Sequence, residues 1–289
     1  MRRTAGRFAV VIAMALALLP VFWLISTSFK PYDEWASAPP HWLPHHPTLQ
    51  NYRIVFAPEA ARSFATATAG TLDYKVSESA WRAFANSAII STIATAISVA
   101  VGTLAAYGML RFPKKHDSFA LQLLSVRMFP PIAVVVPLVI LFSALKLTDT
   151  HLGLILAYAA FTLPFSTWMI RSFIEEVPTE LEGVARIYGM SQFGAFVHIV
   201  LPLIRGGLLA TALFVFILNW SEFLLALTLT SGGIVTVTLQ VANYVSASSG
   251  KLYGVQAAMG TISTIPVIVF GYLIQRHMVR GLTFGAVKR

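Results

Sequence analysis

Cysteine is absent from the chain, which excludes disulfides, thiolate metal sites and cysteine nucleophiles. Charge is nearly as scarce: Asp, Glu, Lys and Arg make up 11% of the 289 residues, against about 25% in an ordinary soluble domain. Sequence signatures of catalysis are missing as well. No H-E-x-x-H or G-x-S-x-G occurs, and Gly250-Lys251 lacks both the upstream Gly and the following Ser or Thr of a phosphate-binding loop. These absences leave no catalytic residue and no metal-ligand set to assign, and the chain reads as a non-enzyme.

Hydrophobic residues, at 56%, dominate instead. They gather in apolar runs near or above the roughly 20 residues that cross a bilayer. The runs fall at Phe8 to about Ser28, Ala83 to Leu110, Phe119 to Leu145, Leu152 to Ile174, Leu203 to Leu229 and Val255 to Ile274. The first is longer than the apolar stretch of a signal peptide and no A-x-A site closes it, so it reads as an uncleaved span. Pro130, Pro131 and Pro137 in the third run and Pro266 in the last would break soluble helices, but membrane helices tolerate them where neighbours satisfy the freed carbonyls. The expected fold class is an all-α, polytopic membrane protein with about six transmembrane helices, a single transmembrane domain over residues 1–289 in the lipid bilayer.

The formal net charge of +9 does not indicate nucleic acid, because the basic residues neither form one patch nor alternate with stacking aromatics. They mark membrane ends. With the N-terminus inside, Arg2, Arg3, Arg7, Arg111, Lys114, Lys115, Arg171, Arg186, Arg205, Arg276, Arg280, Lys288 and Arg289 all face the cytoplasm, whereas the short outer loops carry only Lys146 and Lys251. The 30–82 segment is then extracytoplasmic, and its stretch from Pro39 to Pro47 is too proline-rich for regular structure. His41, His45 and His46 in it read as a solvated loop, since no further ligand sits at a fixed spacing.

The stretch 175–202, between the fourth and fifth spans, is long for a simple connection. Thr179 with Glu182 three residues on has the pattern of a capping box after Pro178, so a helix is predicted to start there. Leu181, Val184, Ala185 and Tyr188 share one face of it. Gly189 offers the left-handed conformation that ends a helix, Ser191 can begin another, and Phe193, Phe196, Val197 and Val200 line one side of the second piece before Pro202. Two short amphipathic helices joined by an elbow are expected.

The residues from Glu182 to Gly189 and from Ile199 to Pro202 resemble the EAA motif of ABC importer permeases. Gly189, Ile199, Leu201 and Pro202 fall at the family spacing and Ala185 matches its second alanine, while Gly183 stands where Glu is usual and Val184 replaces Ala. The resemblance extends over nearly the whole chain and is closest to the MalG-like branch of carbohydrate permeases. Pro47 to Tyr52, Leu163 to Trp168, Asn219 to Phe223 and the tail from Gln275 to Lys288 each resemble family segments, and Arg127 to Pro131 resembles polyol-transporting members. The resemblance implies a bacterial cell (inner) membrane subunit that pairs with a second, MalF-like permease, two cytoplasmic ATP-binding subunits and an extracytoplasmic solute-binding protein. The chain itself would bind no cofactor, with ATP and Mg held by the ATPase partners. Glu182, Gly183, Val184, Ala185, Arg186, Tyr188, Gly189, Ile199, Leu201 and Pro202 would couple to the ATPase, and Gly281, Leu282, Gly285 and Lys288 of the cytoplasmic 275–289 tail would contact it.

Ionisable groups within spans are functional candidates, since burying one in lipid costs at least about 2.5 kcal/mol. Arg127 lies roughly 13 Å into the third span at helical rise. Glu222 lies nearer the outer side of the fifth, close to Asn219 and Trp220, whose amide and ring suit sugar hydroxyl and C–H surfaces. These four are the candidate substrate path. The competing class is an ion-coupled secondary transporter, which should show internal repeats and broken half-helices. A topology reporter fused after Arg289 is expected to be active only in the cytoplasm; activity only outside the cell would invert the whole orientation.

Overall fold

The computed structural model describes residues 2–35, 37–57, 79–112, 125, 130–246 and 250–282. Arg127, most of the first half of the third apolar run, and residues 283–289 of the tail lie outside them. The chain divides into two compact units, Met1–Ala85 with Val235–Ile265 and Asn86–Ile234 with Pro266–Arg289. Helices dominate, and the one strand pair among the described residues is the two-residue β1 (Val245–Ser246) against β2 (Gly250–Lys251).

The first unit contains α1 (Arg2–Ser28), a single 3₁₀ turn at Tyr32–Glu34, α2 (Gln50–Phe56), α10 (Val237–Asn243) and the opening turns of α11 (Tyr253–Leu282). The end of α1 and the chain just beyond it are fixed by side chains that take up backbone carbonyls. Asn51 donates to the carbonyls of Ser28 and Lys30 at 2.9 and 2.8 Å, and the Trp35 indole donates to Lys30 O at 2.9 Å. Gly254 is required here, because a Cβ would lie 2.2 Å from the Trp35 indole nitrogen. The proline-rich stretch is irregular, as expected, but it is anchored rather than merely solvated. The buried Glu34 carboxylate accepts from the backbone N–H groups of His45 and His46 at 3.0 and 3.3 Å, and the His41 and His45 rings stack at 4.2 Å. No metal-holding cluster of His, Asp or Glu occurs among the described residues.

The second unit holds most of α3 (Ala80–Arg111), then α4 (Pro131–Ala144), α5 (His151–Glu175), α6 (Thr179–Ile187), α7 (Gln192–Leu203), α8 (Arg205–Trp220) and α9 (Leu224–Leu229). Helices α3 and α5 meet along hydroxyl and small side chains. Ser98 Oγ donates to Ala159 O at 2.7 Å, Ser166 Oγ donates to Ser98 O at 2.8 Å, and Thr162 lies 2.7 Å from Ser98. Gly102 allows this approach, since a Cβ would stand 2.5 Å from Ser166 Oγ. Gly207 likewise receives the Phe173 ring, which lies 2.3 Å from where a Cβ would be.

Among the described residues four helices are long and apolar enough to cross a membrane, Val10–Ser28, Ala80–Arg111, His151–Glu175 and Tyr253–Leu273, and the bent pair Gln192–Leu203 with Arg205–Trp220 brings the number to five when it is counted as one span. The all-helical, multi-pass reading therefore holds, while the six-span count is not reproduced among the described residues. Helix α4, with 14 residues, makes up most of the described part of the third run. The fifth run departs from the expectation of one continuous span. A bend of 75° marks its start, between α7 and α8, and the run breaks at residues 221–223. At that break the Glu222 carboxylate accepts from Leu225 N at 2.9 Å, capping α9, so a polar residue that can bond nearby backbone competes with helix continuation.

A second polar fixture ties the turn between α4 and α5 to the segment after α9. Asp149, at φ +56°, accepts from Ser231 Oγ at 2.8 Å, Gly233 N at 3.0 Å and Ile234 N at 2.9 Å, and its own N–H donates to Leu229 O at 2.7 Å. Burial alone would raise the carboxyl pKa, but the bonds from Ser231, Ile234 and Gly233 outweigh it and hold Asp149 below the ordinary aspartate value. A depressed folded pKa stabilises fully above the unfolded value of about 3.9 and is lost as pH falls through the folded value. Asp149→Asn is expected to destabilise the chain by about 1–2 kcal/mol at neutral pH, solvent screening trimming the larger figure. Melting in detergent should show the gap to the parent closing below that acid range; a gap of equal size there would mean the charge is not its source.

Candidate functional site

The elbow between α5 and α8 is built from local rules. Pro178 occupies the cap position of α6, Glu180 and Glu182 lie in its first turn and Arg186 in its last, which suits the helix dipole at both ends. The helix ends in a Schellman arrangement: Met190 N donates to Ala185 O and Gly189 N to Arg186 O, both at 3.0 Å. That closure requires a left-handed residue, and Gly189 has φ +88°. Ser191 then caps α7, its Oγ accepting from Gly194 N at 3.0 Å. The predicted elbow and second cap are thus both present.

The predicted capping box is not. Thr179 is the first helical residue rather than the cap, no side chain caps α6, and Glu182 turns the other way. Its carboxylate is buried between Arg111 Nε at 2.6 Å and the Tyr107 hydroxyl at 2.7 Å, both donating from the end of α3. A charged pair contributes more than a backbone cap, about 1.5–3 against about 1 kcal/mol, so the buried partners win.

The two faces of the elbow differ sharply. Ala195, Phe196 and Val200 face inward with Glu182 and are buried, and Phe196 packs on Tyr107 with ring centroids 4.5 Å apart. On the other side Leu181, Val184 and Phe193 are exposed, and Ile187 and Tyr188 reach 84% and 88% exposure. Gly183, Arg186 and Gly189 are exposed among them, beside a hollow of about 560 Å³. Ala185, Ile199 and Leu201 are half-buried and Pro202 is exposed. Residues 196–200 form a π-helical turn that leads into the bend before α8.

The candidate path residues are not brought together as a polar cavity among the described residues. Asn219 is buried and donates to Thr95 Oγ1 at 3.1 Å, and Trp220 is buried against Phe216 at 5.7 Å between ring centroids. Glu222 serves the α9 cap, and Arg127 is outside the described residues. Of the tail residues, Gly281 and Leu282 close α11, while Gly285 and Lys288 are outside. Sequence reasoning missed Ile187 as part of the exposed apolar edge, and it missed Tyr107 and Arg111. The available signal for the latter two was their spacing of four at the end of an apolar run, with a carboxylate in the loop to receive them.

Apolar helices of membrane-spanning length joined through a short two-helix elbow with an exposed apolar edge define a multi-pass membrane protein. The chain belongs to the family of binding-protein-dependent transport system inner membrane components, whose model matches residues 98–284, and it is accordingly a non-enzymatic transport subunit. It is 36% identical to the trehalose transport system permease protein SugB of Mycobacterium tuberculosis, over 99% of this chain and 98% of that one. It is 34% identical to the probable ABC transporter permease protein y4oR of Sinorhizobium fredii, covering 94% and 90% of the two chains. With the trehalose/maltose transport system permease protein MalG of Thermococcus litoralis it shares 31% identity over 96% and 94%. The solved structure of a bacterial ABC transporter involved in the import of the polysaccharide alginate has the same fold, with a TM-score of 0.67, 18% identity and coverage of 95% and 97%. The MalG-like carbohydrate permease resemblance is borne out.

Two glycines in the elbow should behave oppositely. A Cβ at Gly183 meets nothing within 4 Å, so Gly183→Ala is expected to raise stability by up to about 1 kcal/mol through helix propensity. Gly189 also has open space, yet its positive φ makes Gly189→Ala cost about 1–2 kcal/mol. Melting temperatures of the two variants in detergent, moving in opposite directions, are the expected result.

Proposed function

We propose that the chain forms half of the translocation path of an ATP-driven importer for a carbohydrate or polyol, in a bacterial cell membrane. A second permease subunit completes the path, an extracytoplasmic binding protein delivers the solute, and two ATP-binding subunits, which hold ATP and Mg, dock on the elbow from the cytoplasm. The observation that carries this reading is the exposed apolar edge from Leu181 to Phe193 on a loop whose inner face is fixed. An apolar edge of this kind outside the bilayer favours burial against a partner. The names of relatives, trehalose and trehalose/maltose systems among them, support a sugar as cargo. Gly281, Leu282, Gly285 and Lys288 of the tail add a second contact to the ATPase pair.

The elbow transmits force only if its shape survives. Gly189→Val places a β-branched residue at positive φ, so the Schellman closure should open and the docking edge distort. In proteoliposomes containing the complete complex, ATP-dependent uptake of trehalose, maltose and simple polyols is the primary test. Uptake and binding-protein-stimulated ATP hydrolysis are expected to fall together in Gly189→Val, while capture of sugar by the binding protein is unchanged. Uptake driven by an ion gradient without ATP would overturn the reading, as would a Gly189→Val complex that transports and hydrolyses at parental rates.

A further inference from the structure

The elbow is held to its unit at a third place besides its two chain ends. Tyr107 and Arg111 lie four residues apart at the end of α3, so their side chains leave the same face of the helix. Between them they engage both oxygens of Glu182. The same two residues also reach the chain on either side of α6: Arg111 Nη2 donates to Val177 O at 3.2 Å and the Tyr107 hydroxyl approaches Gln192 O at 3.4 Å. One clamp therefore grips the start of the loop, the first turn of α6 and the start of α7. The side chains of Arg111 and Glu182 retain only 11% and 8% of their exposure, and Tyr107 belongs to a buried cluster with Ile170, Ile174, Val177, Phe196 and Val200. Buried, directional, doubly hydrogen-bonded contacts of this kind fix register as well as distance.

The covalent exit from the elbow is a poorer lever. Helix α7 runs through the π-helical turn at Phe196–Val200 and then bends by 75° into α8, so the regular hydrogen-bond ladder along which a push would travel is interrupted twice. We propose that Tyr107 and Arg111 are positioning residues for coupling: through Glu182 they lock the elbow to α3, so that a push on the elbow moves α3 with it as one body. This inference rests on the reading of the elbow as the ATPase docking element. It assigns α3 as the helix that first takes up the displacement, with α8 following through its compliant bend.

The absence of cysteine from this chain allows two labels to be placed in it without background once the partner subunits are made cysteine-free. In the reconstituted complex, spin labels at Val101→Cys on α3 and Glu180→Cys on α6, both exposed positions, report the separation of helix and elbow. The parent is expected to give one narrow distance that is the same without nucleotide and with ATP. Single loss of Arg111 or Glu182 would strand a buried charge and risk misfolding, so the informative variant is the double Arg111→Met/Glu182→Leu, which leaves none. It should assemble with its partners, broaden the distance distribution, and lower solute transported per ATP hydrolysed by about tenfold, within the usual range of coupling energies. Tyr107→Phe, which keeps the ring on Phe196 and removes only the hydroxyl, should give a smaller fall in the same ratio, and Arg111→Lys should retain part of it. An apolar double variant with a narrow distance and the parental transport-to-hydrolysis ratio would overturn the clamp, showing the pair to be packing alone. A cross-link from Ile187→Cys to the ATPase subunit separates the two levels of inference. If the parental complex gives no cross-link, docking and clamp both fail; if it does and the double variant still couples normally, only the clamp fails.

Discussion

A chain in lipid has no water to satisfy its backbone, so each crossing segment must bond to itself, and helices can then associate only by what their side chains allow. Every other feature follows from that constraint. Where α3 meets α5, the seam uses Ser98, Gly102, Thr162 and Ser166, small enough for close approach and able to bond across it. Such interhelical bonds contribute only about 0.6 kcal/mol each. The seam therefore owes its hold as much to the closeness that Gly102 permits as to the bonds themselves. Polar side chains here are glue, placed where a larger apolar residue would push the helices apart.

Irregular backbone carries a cost wherever its polar groups are withdrawn from water, and three of the irregular places have specific polar side chains. The break after Trp220 is closed by the Glu222 carboxylate on Leu225 N. The turn before α5 is held by Asp149, whose carboxylate takes donors from Ser231, Gly233 and Ile234. Gly233 must be glycine for that grip, because a Cβ would lie 2.7 Å from the Asp149 carboxylate. The elbow ends α6 with Gly189 and opens α7 with Ser191. Four of the few carboxylates in the chain, Glu34, Asp149, Glu182 and Glu222, accept hydrogen bonds that fix loops, breaks or the elbow.

This division explains which features were legible in the sequence. Apolar runs, the Gly189 elbow and the Ser191 cap are set by residues within a few positions of one another, so period and turn chemistry reveal them. The break at 221–223 was hidden because the run is apolar on both sides, and Glu222 looked like an intramembrane charge until its bond to Leu225 N was seen. The capping box failed for the same reason in reverse. Thr179 and Glu182 have the local pattern, but the partners that take the carboxylate lie 71 and 75 positions away in sequence. Asn219 suited a sugar by chemistry alone, whereas its bond to Thr95 depends on a neighbour 124 positions away that no local pattern names.

The departure of the elbow from its family motif can be interpreted in the same terms. Gly183 stands at the usual Glu position, and Glu182 sits one residue earlier, about 100° around the helix at 3.6 residues per turn. Rotating α6 to bring Glu182 outward would break its contacts with Arg111 and Tyr107 and leave a buried guanidinium without its carboxylate. That loss is far larger than one exposed polar contact can return. Glu182 is therefore committed to the inner face, and the outer face is left with Leu181, Val184, Ile187, Tyr188 and Phe193, with Glu180 and Arg186 as its nearby charges. An elbow of this composition presents an apolar centre edged by charges of both signs.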